Sequence, residues 1–534
     1  MRKVLSLVLV VTILLSLCGC SSDDESKEII NYNLGAEPTS LDPQIASDTS
    51  AKIVIMNIFE GLTKIDKDDN VIPAMAASWE SENNNTVFTF KLREDAVWAD
   101  KTKTPVTAKD FLFAFKRVVD PKTNSALAQT LFCIKNASQI NNKQLSIEHL
   151  GVQCIDDYTL RIELEYPYEN FPRLMASTAA MPCNEEFFLK SSGQYGLEGN
   201  MLLSNGSFSL TNVYSWDHNK SISLSKSSYY TGPNEAGCAG IKFTIDTYYT
   251  NNLMGIKNQS IDAALIEPEN VEAAKNEKMS LTSFKDTTWG LCFNLDKECF
   301  KNQNIRLGIL SVLDRDSLVN NLPQSFEAAN DIVMESVSIA DKSYRELAGH
   351  GYGLVKRGDY RELVSAGLAE ENLDQLPKTT IICLNSPVYT TIVSNIIEQI
   401  NKNFNVFFNM EALDEDQFYS KLYSKTYQMA LIPLSAANNS VYDMFLSFKS
   451  DNKSNISGLK SAEFDNILKN ISLNPGTNSV PYCIEAEKYL SSNAIFYPIS
   501  YQESFYAQAN NVKDVVFYPF NSGVDFTFCR KNEK

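Results

Sequence analysis

Apolar residues fall into three patterns along this chain. The first is one run from Val4 to Leu17, about fourteen residues behind Arg2 and Lys3, short of the ~20 that a helix needs to cross a bilayer. A basic start, a short apolar core and small residues at its end have the form of a secretory signal peptide. The polar stretch "SSDDESKEIINYN" that follows reads as a flexible leash rather than more helix. The second pattern is alternation. "TVFTFKLR" sets β-branched and aromatic residues against polar ones, as a half-buried strand requires. The third is a helical stripe formed by Phe111, Leu112, Ala114, Phe115, Val118 and Val119. Thr107 stands at its N-cap, Asp110 is placed three residues on to close a capping box, and Asp120-Pro121 ends it. Between 378 and 435 the two periods take turns: strand "KTTIICLN", helix "YTTIVSNIIEQINKNF", strand "NVFFNMEAL", a further helix, then strand "QMALIPL". That βαβ alternation predicts an α/β protein. "LGILSVLDRDSLVNNL" also has helical spacing.

At 534 residues the chain exceeds what one hydrophobic core organises, so two or more lobes are expected. Beyond the leader no apolar run is long enough to span a bilayer, which predicts a soluble body. The net charge of −17 argues against nucleic acid, whose binding needs a positive surface. Of eleven cysteines, Cys18 and Cys20 belong to the leader and its end, and the remaining nine cannot all pair with one another. Most sit in apolar text such as "QTLFCIKN" and "TTIICLN", where cysteine fills a core, while disulfide pairing stays open.

Catalytic chemistry is hard to find. His149, His218 and His350 form no H-E-x-x-H, and neither a G-x-S-x-G elbow nor a P-loop is present. "GHGYGL" lacks a third glycine at the spacing of a nucleotide loop and follows no clear strand, so it reads as a turn. No catalytic, cofactor-binding or metal residue is nominated, and no cofactor is expected.

Two resemblances carry the reading further. "LCGC" resembles the lipobox of bacterial lipoproteins, which implies that Cys20 becomes the lipidated first residue of the mature chain. Then come six motifs in order: Glu37 to Pro43, Phe59 to Leu62, Pro73 to Trp79, Thr89 to Arg93, Trp98 to Asp100, and Pro105 to Phe111. Together they resemble the oligopeptide- and dipeptide-binding lipoproteins, the extracellular solute-binding proteins of peptide ABC transporters. The resemblance implies a two-lobed periplasmic-binding-protein-like α/β fold with crossover strands and an additional domain inserted in the first lobe. It places the signal peptide at 1–19 and a lipidated, flexible linker at 20–35. The first lobe falls at 36–59, 185–285 and 500–534, the additional domain at 60–184, and the second lobe at 286–499. The implied function is capture of an oligopeptide-like solute between the lobes and its delivery to the permease subunits of an ABC importer. The protein would be a monomer held by lipid on the outer face of the cell membrane, with no enzymatic role. A non-peptide solute, a signal, or a sensor without transport are the alternatives, and a cell-surface hydrolase ranks last.

The same resemblance locates ligand contacts. One set is the loop after Asp42-Pro43, with Ser47 and Thr49. The other is the segment before "MFLSF", with Leu434, Ala436 and Asn438, whose backbone would pair with an extended ligand. Family members have an Asp at the Asn438 position, pairing with the ligand's α-ammonium. An amide accepts a hydrogen bond but supplies no charge, and charge-assisted bonds are roughly twice as strong. Asp443 is the nearby carboxylate able to replace it if the loop is reshaped. Trp289 is expected either to see the cleft or to pack.

Overall fold

Two long antiparallel strands, Ser280–Phe293 and Phe496–Gln508, organise the molecule. Both are rich in β-branched and aromatic residues, and they pair from Ser280 opposite Gln508 to Cys292 opposite Phe496. In the computed structural model, which describes residues 26–246, 252–320, 322–340, 342–353, 358–404, 406–436, 439–452, 455–518 and 523–532, they form the middle of one twelve-stranded sheet. On one side the sheet continues through Ala263–Ile266, Ser26–Asn33, Cys238–Thr244 and Ser221–Lys226. On the other it runs through Met429–Ser435, Thr379–Leu384 and Phe408–Leu413. Thr379–Leu384 lies parallel to both of its neighbours, with the helix Pro387–Phe404 between strands, as the βαβ pattern predicts.

The buried apolar residues separate along the same line. One core draws on residues 30–274 and 506–529, and two further cores draw on residues 289–499. Two bodies are thus joined by a shared pair of strands. The first body also carries a separate antiparallel sheet, ordered Ala76–Glu82, Val87–Leu92, Thr159–Glu163 and Val152–Asp156. Helix Ala108–Val119 packs beside it, burying Phe111, Phe115 and Val118. Its capping box forms: Thr107 donates to Asp110 Oδ2 from its backbone N–H at 2.7 Å and from its hydroxyl at 3.2 Å. Burial pushes the Asp110 carboxyl up to about 6 even so.

Three local features differ from or refine the expectations. The stretch "SKEIINYN" is a strand, not part of a leash. Ile30 and Tyr32 insert into the first core, and the backbone pairs in parallel with Cys238–Thr244. The segment "LGILSVLDRDSLVNNL" makes two helices, Gln303–Ser311 and Arg315–Val319, separated at Asp314. The crossing strands contain an irregularity. Lys285 faces Glu503 and Thr287 faces Gln502, so Asp286 is an extra residue that bulges the first crossing strand between the two bodies.

The nine cysteines from Cys133 to Cys529 are free thiols, all buried except the half-buried Cys154. Trp289 packs: it is 3% exposed, its ring lies 4.0 Å from that of Tyr389, and Nε1 donates to Gln502 Oε1 at 2.6 Å. "GHGYGL" follows helix Tyr344–Ala348, and Gly349 and Gly351 both have positive φ, as a turn needs.

Candidate functional site

The two bodies meet away from the crossing strands at a short helix, Val441–Leu446, and the loop before it. Ser440 caps this helix by accepting from the backbone N–H of Asp443 at 3.2 Å. Asn439 takes a left-handed conformation (φ 51°) in which its carboxamide is pinned: Oδ1 accepts from Ser338 N at 2.9 Å, and Nδ2 donates to Ser338 Oγ at 2.8 Å. The same Nδ2 reaches the other body, donating to Asp69 Oδ2 at 3.2 Å. One turn on, Tyr168 Oη donates to Asp443 Oδ2 at 2.9 Å. Beside that bond, the rings of Tyr166 and Tyr442 meet edge to face at 5.5 Å. Asp443 is therefore a contact between the bodies.

Two cavities share Asn439 and Arg173. The larger, about 550 Å³, lies between Trp79, Tyr168 and Asn170 of the first body and Ile339, Tyr442 and Pro475 of the second. The smaller, about 140 Å³, reaches back from Asn439 to helix Thr49–Ile58, the segment Glu60–Ile65 and the turn around Ser177. Its wall is charged, and most of those charges are matched. Lys64 pairs with Asp525 at 2.5 Å, and Arg173 pairs with Asp69. Glu60 is fully enclosed, and burial pushes its carboxyl up against the opposing pull of Lys64 and Arg93. Its Oε1 accepts from Tyr230 Oη at 2.7 Å and Asn234 Nδ2 at 2.8 Å, while Oε2 faces Arg93 Nη2 at 3.7 Å.

A strand edge leads to the same place. Met429–Ser435 is paired along its whole length with the first crossing strand, from Phe293 opposite Met429 to Thr287 opposite Ser435. Its other edge has ladder partners only at Met429 and Ala430, among the described residues. From Leu431 to Ser435 that edge has no ladder partner among the described residues, and the Ala436 carbonyl beyond it accepts from Asn439 N at 3.1 Å.

The structure places the expected contacts unevenly. Leu434 and Ala436 are buried on or just past this strand, so what they offer is backbone rather than side chain. Ser47 is exposed ahead of helix Thr49–Ile58, and Thr49 is that helix's exposed first residue; Asp48 between them caps the helix, accepting from Ala51 N at 2.8 Å. Asn438 and Cys20 lie outside the described residues. Among the described residues, no group of three or more His, Cys, Asp or Glu is placed to hold a metal, and no helix is long and apolar enough to cross a membrane.

The sequence profile of the bacterial extracellular solute-binding proteins, family 5 (middle region), matches residues 70–455. The chain belongs to that family. The resemblance read from its six motifs is thereby established, and this solute-binding protein shares its architecture with relatives of known structure. It superposes with a TM-score of 0.78 on the substrate-binding domain of an oligopeptide ABC transporter from Bacillus anthracis, at 25% identity over 95% of this chain and 99% of that one. It is 24% identical over 550 residues to the dipeptide-binding protein DppE of Bacillus subtilis, covering 99% of each. It is 26% identical over 542 residues to the oligopeptide-binding protein OppA of the same organism, covering 96% of each. The fold is the two-lobed periplasmic-binding type. The crossing strands are its connection and the antiparallel sheet with helix Ala108–Val119 its additional domain. Sequence reasoning missed Lys52, Ser177 and Asn439. Lys52 alone left a trace, as the one cation in the apolar text "SAKIVIMNIF".

Proposed function

We propose that this solute-binding protein captures a peptide-like solute in the cleft around Asn439 and hands it to the permease subunits of an ABC importer. The single observation that carries this reading is a pair of cavities walled by residues of both lobes, with the unpaired edge of Met429–Ser435 leading along the chain to Asn439 on their wall. An extended ligand adds there as a strand, its main chain held by protein main chain, with the side chains left to water-filled space. The lobes hinge about the crossing strands, with Asp286 at the bend, and the contacts Tyr168–Asp443 and Asn439–Asp69 belong to the closed arrangement. The lobes divide at 36–59, 185–285 and 500–534 for the first, with strand Ser26–Asn33 added to it, 60–184 for the additional domain, and 286–499 for the second. Ser47, Thr49, Leu434, Ala436 and Asn438 are the ligand contacts of this reading. The protein acts as a monomer without covalent chemistry, tethered outside the membrane by lipid on Cys20.

Native mass spectrometry of the purified protein, followed by denaturation, tests the capture. A ladder of heterogeneous peptide masses supports the reading. A single non-peptide mass turns the fold toward the second reading, another solute, which the Asn at 438 favours. For the tether, Cys20→Ala releases the protein from the membrane fraction and removes the lipid mass; retention of both overturns the lipidation.

A further inference from the structure

The small cavity beside Asn439 has one cation on its wall that makes no ion pair. Its wall carries the cations Lys52, Lys64 and Arg173 against the carboxylates Glu60 and Asp525. Lys64 and Arg173 are each engaged in an ion pair. Lys52 is not. Its ammonium makes no hydrogen bond or ion pair among the described residues. The charge it feels is that of Asp48, one turn back on the same helix, and both Asp48 oxygens are occupied. Oδ1 accepts from Ala51 N at 2.8 Å, and Oδ2 accepts from Thr39 Oγ1 at 2.6 Å and Thr39 N at 3.3 Å. Burial pulls the Lys52 ammonium below the usual lysine range, as expected of a desolvated cation without a close counter-ion.

A second group on the same wall is incomplete. Ser177 Oγ is buried and has no hydrogen-bond partner among the described residues, although it heads the turn Thr178–Ala180 where a serine ordinarily caps. One lysine without an ion-pair partner and one hydroxyl without a hydrogen-bond partner among the described residues thus line a cavity of about 140 Å³. Both can donate. An incoming ammonium would meet Lys52 as a like charge, whereas a carboxylate can accept from either group.

We propose that this cavity is the carboxylate subsite of the solute cleft, with Lys52 as counter-charge and Ser177 Oγ as hydrogen-bond donor. The proposal rests on the peptide-like reading of the cleft and deepens it: the ligand's anionic end is the anchor at this place. Asn439, an amide shared by this cavity and the larger one, then leaves the anchor's charge unopposed.

Isothermal titration of the purified protein tests it with five probes: glutarate, and tri-alanine in free, N-acetylated, C-amidated and doubly blocked forms. The expected result is that the N-acetylated peptide, which keeps its carboxylate, binds at least tenfold tighter than the doubly blocked one. Lys52→Gln abolishes that difference, Lys52→Arg keeps it, and Ser177→Ala reduces it. Equal affinity across the peptide forms, or weakening caused by N-acetylation alone, overturns the subsite and leaves peptide capture standing. Glutarate binding that depends on Lys52, with no peptide bound, overturns peptide capture and leaves the subsite standing. Silence toward all five probes overturns the subsite.

Discussion

Tyr168→Phe tests whether the two lobes are held together by the contacts described. The substitution removes one oxygen and keeps the ring that packs against Tyr166. Tyr168 is 8% exposed and its hydroxyl reaches Asp443 at 2.9 Å, so the lost bond is a desolvated one to a carboxylate. Such bonds contribute about 1.5–3 kcal/mol, which is a factor of about 10–150 in an equilibrium constant. The bond joins groups on opposite lobes, so its loss falls on the closing equilibrium rather than on either core. Apparent affinity scales with the population able to close. Peptide-pool titration should therefore show Kd rising about tenfold or more, and small-angle scattering of the ligand-free protein should show a larger radius of gyration. Asp443→Asn keeps an acceptor and should cost less. In the double variant the two changes should fall short of additivity, by 0.5 kcal/mol or more. Unchanged Kd and radius of gyration in Tyr168→Phe, together with additive effects, would refute the closing role.

Other perturbations bear on the scaffold. Arg345 and Glu487 form a pair at 2.5 Å with both side chains buried, and Glu487 Oε1 also accepts from the backbone of Ile332 and Val333. Glu487→Gln replaces a charged acceptor of Arg345, which keeps Asp331 at 3.2 Å as its other carboxylate, and should cost about 1.5–3 kcal/mol in urea unfolding of the second lobe. A cost under 1 kcal/mol would mean that the pair is solvated. A Cβ at Gly290 would lie 2.2 Å from the ring of the buried Phe496 across the crossing strands, so Gly290→Ala should destabilise by about 1–3 kcal/mol, read from the same transition. Asp286 supplies a pH prediction. Burial raises its carboxyl to about 6, with Thr287 and Ser504 opposing, whereas an unfolded Asp titrates near ~3.9. Its contribution is thus fully present below pH ~4 and is lost as pH rises through about 6, a difference of roughly 2–3 kcal/mol. Asp286→Asn should flatten the wild-type decline in urea midpoint between pH 4 and 7, and an unchanged slope would refute the assignment.

Much of the architecture was legible because its causes are local. The capping box of Thr107 and Asp110 needs four consecutive residues, and the βαβ run from Thr379 to Ser435 declares itself through period two and period 3.6. Strand Ser26–Asn33 was not legible. Its doubled isoleucines blur the alternation, since Ile29 is exposed and Ile30 buried, and its partners stand more than two hundred residues away at Cys238–Thr244. The six family motifs fared as their chemistry requires. They are turns, caps and core, so they identified the fold and left the ligand open.

The cleft belongs to a different level. Lys52, Ser177 and Asn439 come from a helix, a turn and a loop far apart in the chain, and nothing in their neighbours' spacing announces a cavity. Asp443 was visible as a nearby carboxylate, but its commitment to Tyr168 exists only where two separately built cores face each other. Helix and strand periods, caps and the family motifs are properties of residues near one another in sequence, where local backbone geometry decides the outcome. Which charges lack a counter-ion, which strand edge lies open and which hydroxyl has no acceptor depend on surfaces brought together across hundreds of residues. Only the tertiary structure decides those, because desolvation and pairing are set by what finally stands within a few ångströms.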